Sequence, residues 1–474
     1  MSGAALRRWA TATLAASLAL AAWLALAAPA LAQGAAHGAP RTPSSATADP
    51  AQVAALLAAV ADHPALRAVD ALADAAALRA TAVRAPLSLS AQVDVRRLTI
   101  EPASDPLPPP FDELFAIDAA SESVSLRLVL RPFLFGDLAD LGDQRDLEAE
   151  RADLQARETR AGLEAQAVQA AMAAWLADLA VRLAEDGLAL AELAEAGAVR
   201  RAEAGGASPV DVGRAELARR EALAAIRDAR RQRDLAHARA ASLAGAARLD
   251  GPFELAPVLG MTPDQMRAHL DLALAAIGAR NAERGLWPTV QGGYSWLFDD
   301  GGSLTLGLES RTLQPALSYA SGGTGANAGG LADLVPDRVA PTVRGSLNVS
   351  IAWTFSPQAY LETDAVRRQL DAADAGLAAA ADRALLTRQA LEASLLTSAA
   401  RVELATLDLE LTTLERDAAD ARFAAGGASE LERLQAHLAW RQALLGHARS
   451  RVEHLGTVLD TYTAYAIPLS EVLP

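Results

Sequence analysis

The sequence predicts a mainly α-helical protein with a β-barrel part, built from two copies of one unit of strands and a helical hairpin. The first observation is a motif that occurs twice, 221 residues apart: Arg201-Ala-Glu-Ala-Gly-Gly-Ala-Ser208 and Arg422-Phe-Ala-Ala-Gly-Gly-Ala-Ser429. Long Ala/Leu-rich stretches flank each copy, and a strand-like alternating segment precedes each one. A fixed offset over about eighty residues indicates duplication of a strand, helix, turn and helix.

The first 32 residues have the pattern of a secretory signal peptide. Arg7 and Arg8 precede an apolar run, which ends in the small residues Ala30-Leu-Ala32 of a cleavage site. An uncleaved membrane anchor is the alternative, because the run is about twenty residues long, but Pro29 and the high alanine content favour cleavage. No later segment has about eighteen uninterrupted apolar residues, so we expect the exported chain to be soluble or a β-barrel.

The composition excludes several kinds of site. The chain has no cysteine, which rules out disulfides, thiolate metal sites and a cysteine-linked lipid anchor. The formal net charge is −15, and loss of the two signal-peptide arginines makes it −17. A chain this acidic does not attract nucleic acid through the phosphates, so we expect no nucleic-acid partner.

The exported chain is predicted to contain two repeats around a short linker. Each repeat consists of a helix, a strand pair and a helical hairpin. The helix of the first repeat is interrupted near His63-Pro64, because proline cannot continue a helix. The predicted segments are a signal peptide at 1–32, a flexible leader at 33–50, the first repeat at 51–246, an equatorial linker at 247–262, the second repeat at 263–467 and a C-terminal tail at 468–474.

Four segments alternate between apolar and polar residues with period two, which predicts strands. They begin at Leu87, Val124, Val290 and Leu347. Each is about eleven residues long, the length of a tilted strand that crosses a bilayer; half-buried strands of a soluble sheet are the alternative. A shorter alternation at 304–308 predicts a hairpin that extends above the main strands.

Side chains in and around these strands have two predicted roles. Aromatic residues gather near the strand ends, as they do at a membrane interface. The residues assigned to this interface are Phe133, Phe135, Trp287, Trp296, Trp353 and Phe355. Charged residues on the polar faces would point into a barrel lumen, or would be solvated in a soluble sheet. The residues assigned to the lumen are Asp94, Arg96, Arg127 and Arg131.

The helical part is the larger one. A helix without proline from Asp137 to about Ala204 would reach roughly 100 Å at 1.5 Å per residue. Apolar residues recur every seven positions at Leu431, Leu438, Leu445, Val452 and Leu459. This period predicts a packed coiled-coil seam, although an ordinary antiparallel bundle can show it too. The predicted long helices span 137–204, 208–245, 358–425 and 429–466.

Each hairpin tip is followed by the start of a helix. Ser208 and Ser429 are predicted N-caps, with Asp211 and Glu432 three positions further on. Capping is one possible role for these two carboxylates. The other is a gate, in which they and Glu430 ring the inner mouth of a pore and favour cations.

The sequence contains no catalytic constellation. It has no nucleophile elbow, phosphate loop, zinc-ligand cluster or carboxylate pair in a supporting context, so we expect no enzyme activity and no cofactor. His437, His447 and His454 share one predicted helix. Surface histidines on a long helix rarely converge on a metal, so we expect no metal site.

These patterns together resemble the TolC family of outer-membrane efflux channels. The most specific parts are Ala-Gly-Gly-Ala-Ser-Pro-Val-Asp at 204–211, its echo at 425–432, and the junctions Ala85-Pro86 and Trp287-Pro288. The resemblance implies a homotrimer in which four strands per chain join into a twelve-stranded outer-membrane β-barrel, above a long coiled-coil α-barrel tunnel in the periplasm. Four strands cannot close a barrel alone, so a sheet in lipid requires association.

The resemblance also implies the function of an exit duct in a tripartite efflux or type I secretion system. An inner-membrane pump and a periplasmic adaptor (membrane fusion protein) would dock at the helical tips, and outer-membrane lipid would surround the barrel. Gln435 departs from the family pattern, because a second acidic residue is often found there. A soluble periplasmic coiled-coil scaffold is the alternative function. The residues implied in adaptor contact are Gly205, Gly206, Ser208, Gly426, Gly427 and Ser429.

We predict that the exported protein begins near Gln33, because Ala30-Leu-Ala32 is a favourable cleavage site. N-terminal sequencing of the protein recovered from the cell envelope checks this prediction. An intact Met1 start in the membrane fraction would show that the segment is an uncleaved anchor.

Overall fold

Two similar halves build the fold, and each has a helical segment, a strand region and two long antiparallel helices. The computed structural model describes residues 48–100, 117–131, 134–298, 302–322, 345–353 and 356–473. The helices are α1 (Pro50–Ala61), α2 (Pro64–Val83), α3 (Asp137–Glu203), α4 (Pro209–Ala244), α5 (Pro263–Gly285), α6 (Pro357–Ala424) and α7 (Glu430–Ala464), followed by a short 3-10 turn at Leu469–Glu471. The strands are β1 (Leu87–Ile100), β2 (Ile117–Leu130), β3 (Thr289–Leu297), β4 (Gly302–Glu309), β5 (Pro315–Gly322) and β6 (Gly345–Ala352).

The long helices lie where the proline-free stretches predict them. Helix α3 has 67 residues and α6 has 68, so each is about 100 Å long. The predicted interruption near His63-Pro64 separates α1 from α2. The Nδ1 atom of His63 accepts the backbone N–H of Ala65 at 3.3 Å and caps α2.

The four long helices form a row in the order α4, α3, α7 and α6, in which each packs against the next. Helix α2 lies along α3, and α5 lies along α6. Helices α4 and α6 are therefore the two ends of the row. In the predicted seam of α7, Leu459 is buried, and Leu431, Leu438, Leu445 and Val452 are half-buried.

The main core lies near the middle of the long helices. Val168 and Met172 of α3 pack there with Leu459 and Tyr462 of α7 and with Leu56 of α1. Among the described helices, α3 has a stretch that is apolar and long enough to cross a membrane by composition. The burial of α3 residues in this core accounts for an apolar stretch without a membrane.

The C-terminal tail packs on the same core through partly buried polar contacts. The carboxylate of Glu164 is buried and accepts the backbone N–H of Ser470 at 3.2 Å and its hydroxyl at 2.7 Å. The hydroxyl of Tyr462 donates to the carbonyl of Ala256 at 3.0 Å. These bonds fix the tail and the connection between the repeats onto the long helices.

The described strands form one antiparallel sheet of six strands, in the order β1-β2-β5-β4-β3-β6. The prediction of four strands per chain is therefore wrong for the count of strands. The segment around Leu304 to Leu308 was expected to extend above the sheet, but β4 and β5 lie inside it, between β2 and β3. Local alternation predicts a strand but does not reveal which neighbours its backbone will pair with.

Candidate functional site

The two hairpin tips have the same backbone geometry. Gly205 and Gly426 have φ angles of 74° and 75°, in the left-handed region where a side chain would be strained. The next glycines, Gly206 and Gly427, donate to the carbonyl of the arginine that opens each motif, at 2.7 and 2.8 Å. These bonds close the C-terminal ends of α3 and α6, so the Gly-Gly pair serves the turn itself.

Each tip then starts a helix with a reciprocal cap. The hydroxyl oxygen of Ser208 accepts the backbone N–H of Asp211 at 3.2 Å, and the Asp211 carboxylate accepts the Ser208 N–H at 3.0 Å. Ser429 and Glu432 repeat these two bonds at the same distances. Capping is thus a role that Asp211 and Glu432 have in the folded chain, and both residues are also exposed.

The Asp211 carboxylate is further stabilised as an anion. Hydrogen bonds from the hydroxyl and the backbone of Ser208 are the main cause that lowers the pKa of Asp211. Arg214 and Arg201 lower this pKa further. Because the folded-state pKa is lowered, the stabilisation is present above the ordinary carboxyl pKa and is lost as the pH falls through the lowered value. The first tip therefore keeps its negative charge at neutral pH.

Side-chain contacts also cross the second hairpin near its tip. The guanidinium of Arg433 lies over the ring of Phe423, 4.4 Å from its centroid. His437 and Asp420 are hydrogen-bonded at 2.9 Å, and this bond is the main cause that lowers the pKa of Asp420. Glu430, the third carboxylate assigned to the gate, is exposed in the first turn of α7.

One ion pair joins the two hairpins below the core. Arg441 of α7 pairs with Asp186 of α3, at the contact between the inner helices of the row. The two hairpins are therefore packed side by side. Helices α3 and α7 are adjacent in the middle, and α4 and α6 lie on the outside.

Three of the four residues assigned to a lumen lie on strands, and the fourth lies beyond the end of one. Arg127 lies within β2, opposite Ser90 of β1, and its side chain is exposed. Asp94 and Arg96 occupy alternate positions further along β1, on the same face as Ser90 by register; their side chains lie outside the described residues. Arg131 is different, because it follows the end of β2.

Arg131 fastens the base of the sheet to the helices. Its backbone N–H donates to the carbonyl of Pro86 at 2.8 Å. Its Nη1 atom donates to the carbonyl of Val83, the last residue of α2, at 3.3 Å. A residue held at a helix end in this way does not lie on the strand face that was predicted for it.

The aromatic residues assigned to an interface lie at the base and along the face of the sheet. Trp287 is 71% exposed, and Phe135, Trp296 and Trp353 are exposed as well. The Nε1 atom of Trp353 donates to the carbonyl of Leu286 at 3.1 Å, which joins the end of β6 to the end of α5. Phe133 and Phe355 lie outside the described residues.

Helix α6 has an exposed apolar face that was not predicted from the sequence. Leu404, Leu407, Leu411 and Leu414 follow the 3-4-3 spacing of a coiled-coil seam, yet their side chains are 56 to 68% exposed. This spacing is visible in the sequence. Leucine and alanine are so frequent along α6, however, that the spacing alone does not show which face stays exposed. We call these four residues the open seam.

The described residues hold no group of three or more histidine, aspartate and glutamate side chains arranged to bind a metal ion. Their chemistry consists of exposed carboxylates at the tips, an open apolar seam and a sheet with one apolar face. Such an arrangement can bind other protein surfaces and a lipid phase.

Solved structures with this fold are outer-membrane channels. MtrE of Neisseria gonorrhoeae, in its open state, is 15% identical, with 91% of this chain and 94% of that one covered and a TM-score of 0.61. VceC of Vibrio cholerae is 15% identical, with 88% and 96% covered and a TM-score of 0.58. CmeC of Campylobacter jejuni is 11% identical, with 91% of each chain covered and a TM-score of 0.58.

No protein-family model matches the sequence, and no curated protein matches it. At the identities of the solved structures, the similarity shows the fold. It confirms, at that level, the resemblance predicted from the repeated tips: long helices of a tunnel joined to a β part.

We predict that Ser208→Ala loosens the first tip and leaves the second unchanged. The substitution removes the acceptor for the Asp211 N–H and the main group that lowers the Asp211 pKa. Amide hydrogen exchange in the first turn of α4 should rise roughly fivefold, as expected for loss of an N-cap. Ser242→Ala, at an exposed serine near the other end of α4, is the control. Equal exchange in both variants would contradict the capping account.

Proposed function

We propose that this chain is one protomer of a homotrimeric outer-membrane channel. The channel conducts substrates out of the cell as the exit duct of a tripartite efflux or type I secretion system. The sheet lies in outer-membrane lipid, and the helices form a tunnel in the periplasm. The fold shared with outer-membrane channels supports this proposal. The observation that carries it is that a single chain leaves apolar faces uncovered in both its sheet and its helices.

The sheet has one continuous apolar face. Leu89, Leu126, Leu306 and Leu347 belong to it by register and are all exposed, Leu347 by 73%. Polar residues occupy the opposite face; they are mostly small, but Arg127 and Glu309 lie there too. In water such a face is unfavourable by about 25 cal/mol per Å², whereas in lipid it is the expected outer face of a barrel.

The sheet is also open at both edges. Strand β1 leads away from the helices and β6 leads back to them, so β6 of one copy and β1 of the next would pair antiparallel. Unpaired edges do not persist in a bilayer, because each unsatisfied backbone group costs several kcal/mol there. Copies arranged head to tail around one axis satisfy every edge, and this is the closure that we assign to the trimer.

The two outer helices of the row, α4 and α6, differ in charge and in exposed apolar surface. Helix α6 carries the open seam and has twelve carboxylates against seven arginines, whereas α4 has eight arginines against five carboxylates. The two helices lie at opposite ends of the row. We therefore pair α6 of one protomer with α4 of the next, which covers the seam and matches charges of opposite sign.

Conduction through such an assembly is passive and needs no catalytic group. A periplasmic adaptor and an inner-membrane pump would dock at the tips, and the adaptor would contact Gly205, Gly206 and Ser208 in the first tip and the equivalent residues of the second. Asp211, Glu430 and Glu432 would contribute nine carboxylates around the mouth, three from each chain. Rings of acidic side chains favour cations in channels.

We predict that Leu407→Asp combined with Leu411→Asp abolishes the trimer. Both side chains are exposed in one chain but would be buried between protomers, where unpaired charges are costly. Native electrophoresis of detergent-extracted outer membrane measures the oligomer. Ser394→Asp places one carboxylate at an exposed position of α6, ten residues before the open seam, and should leave the trimer intact. A wild-type monomer released by salt alone would instead support the soluble scaffold.

We predict that Asp211→Asn combined with Glu432→Gln lowers cation selectivity in planar bilayers and weakens block by multivalent cations. The amides keep an oxygen for the caps but remove six of the nine proposed charges. The matched control is Asp74→Asn, at an exposed carboxylate of α2 away from the tips. Unchanged selectivity with an intact trimer would leave capping as the role of these two residues.

A further inference from the structure

We propose that a cavity between the α6–α7 hairpin and the connection of the two repeats binds a small monocarboxylate with an apolar body, of the N-acyl amino acid type. The cavity has a volume of about 350 Å³, which is within the range of small-molecule sites. It lies away from the hairpin tips and from the sheet, and one chain supplies all of its walls. The site therefore goes beyond the proposed function and does not need the assembly.

Hydrogen bonds hold the connection against α7, so the cavity is already formed in the folded chain. The hydroxyl of Tyr462 donates to the carbonyl of Ala256 at 3.0 Å, and the backbone N–H of Val258 donates to the hydroxyl of Thr461 at 3.3 Å. Both Tyr462 and Thr461 are buried. A ligand would not have to order these walls, as is usual for small-molecule sites.

Most of the cavity wall is apolar. Leu455 and Val458 of α7 are buried, and Phe253 and Leu255 of the connection and Val402 of α6 are half-buried. Transfer of an alkyl or aryl group from water into such surroundings is favourable in proportion to the apolar area that is buried. The apolar wall therefore selects the body of the ligand.

One basic side chain on this wall has no acidic partner. Arg451 of α7 lines the cavity. Among the described residues, the ion pairs of α7 use Arg441, Arg449 and His437, and none of them uses Arg451. The charge of Arg451 acts instead on His447, one turn earlier, whose pKa is lowered mainly by burial and further by this guanidinium. A carboxylate complements it, because a guanidinium binds a carboxylate through two parallel hydrogen bonds.

His454 adds a second polar group to the same wall. Its Nδ1 atom is hydrogen-bonded with the hydroxyl of Ser398 of α6 at 2.9 Å, so Nε2 is the ring nitrogen left for a ligand. His454 and Arg451 are three positions apart and share one face of α7. The polar end of the ligand would thus meet α7, while its apolar body lies among the neighbouring leucine and valine side chains.

One acidic residue limits the charge that the cavity accepts. Glu254 lies on the wall that the connection forms, and its side chain is exposed. Its carboxylate would repel a second negative charge on the ligand. A phosphate monoester carries more than one charge at neutral pH, so the cavity favours a single carboxylate over a phosphate.

Saturation-transfer NMR on the full chain, extracted in an uncharged detergent, tests the site. The probe is N-acetyl-L-leucine, and its uncharged match is N-acetyl-L-leucinamide. We expect transfer to the leucine methyl groups and an affinity for the acid at least about tenfold above that for the amide, as for a hydrogen bond to a charged group.

Arg451→Gln should remove the preference for the acid, whereas Arg451→Lys keeps the charge and should retain part of it. The control is Arg383→Gln, at an exposed arginine of α6 that does not line the cavity, and it should match the wild type. Val402→Phe fills the apolar part and leaves Arg451 in place, so it should weaken binding of both probes.

Three results would overturn the site: no binding to the wild type, equal affinity for acid and amide, or an unchanged preference in Arg451→Gln. Unchanged affinities in Val402→Phe would do so as well. Oligomeric state and conductance of the same preparations report on the proposed function separately, and neither should change in Arg451→Gln. A wild type that binds the probe but forms no trimer would refute the proposed function and leave the site standing.

Discussion

The structure depends on one constraint: a sheet with an apolar face must have no free edge once it lies in lipid. Within the described chain, β1 and β6 are the two edges of the sheet, and each has one unpaired side. The helices also leave apolar surface exposed, because the open seam from Leu404 to Leu414 faces outward. In the proposed trimer, the same head-to-tail arrangement of copies would close the sheet and would also cover the seam.

The duplicated unit separates the strands from the hairpin tip in each half of the chain. Each repeat brings its strands to one end and its Gly-Gly tip to the other, with about 100 Å of helix between them. The core around Val168 and Leu459 holds the two repeats together between these ends. The repeats have also diverged: the second tip adds the stacking of Arg433 on Phe423, whereas the first has Pro209 at its helix start. The first hairpin is instead crossed by ion pairs such as Arg219 with Glu195 and Arg230 with Glu185.

Features set by local chemistry could be predicted from the sequence. The helix ends, the break at His63-Pro64 and the caps at Ser208 and Ser429 each depend on residues within about five positions of one another. The features that were missed depend on distant pairing. The place of β4 and β5 between β2 and β3 is decided by backbone partners far along the chain, and the anchoring of Arg131 depends on where β2 stops. The gate proposed for Asp211 and Glu432 remains a prediction, because a pore mouth exists only in the assembly.

The central claim is that neighbouring copies close the sheet through β1 and β6. Its most direct measurement is disulfide cross-linking between protomers, with a cysteine at Ser90 of β1 combined in turn with one at Asn348 or Ser350 of β6. The account predicts a ladder on non-reducing gels that ends at three covalently joined chains, and no ladder when the β1 cysteine is moved to Ser318 in the middle of the sheet. Absence of any product between chains, or a ladder that continues beyond three, would contradict it.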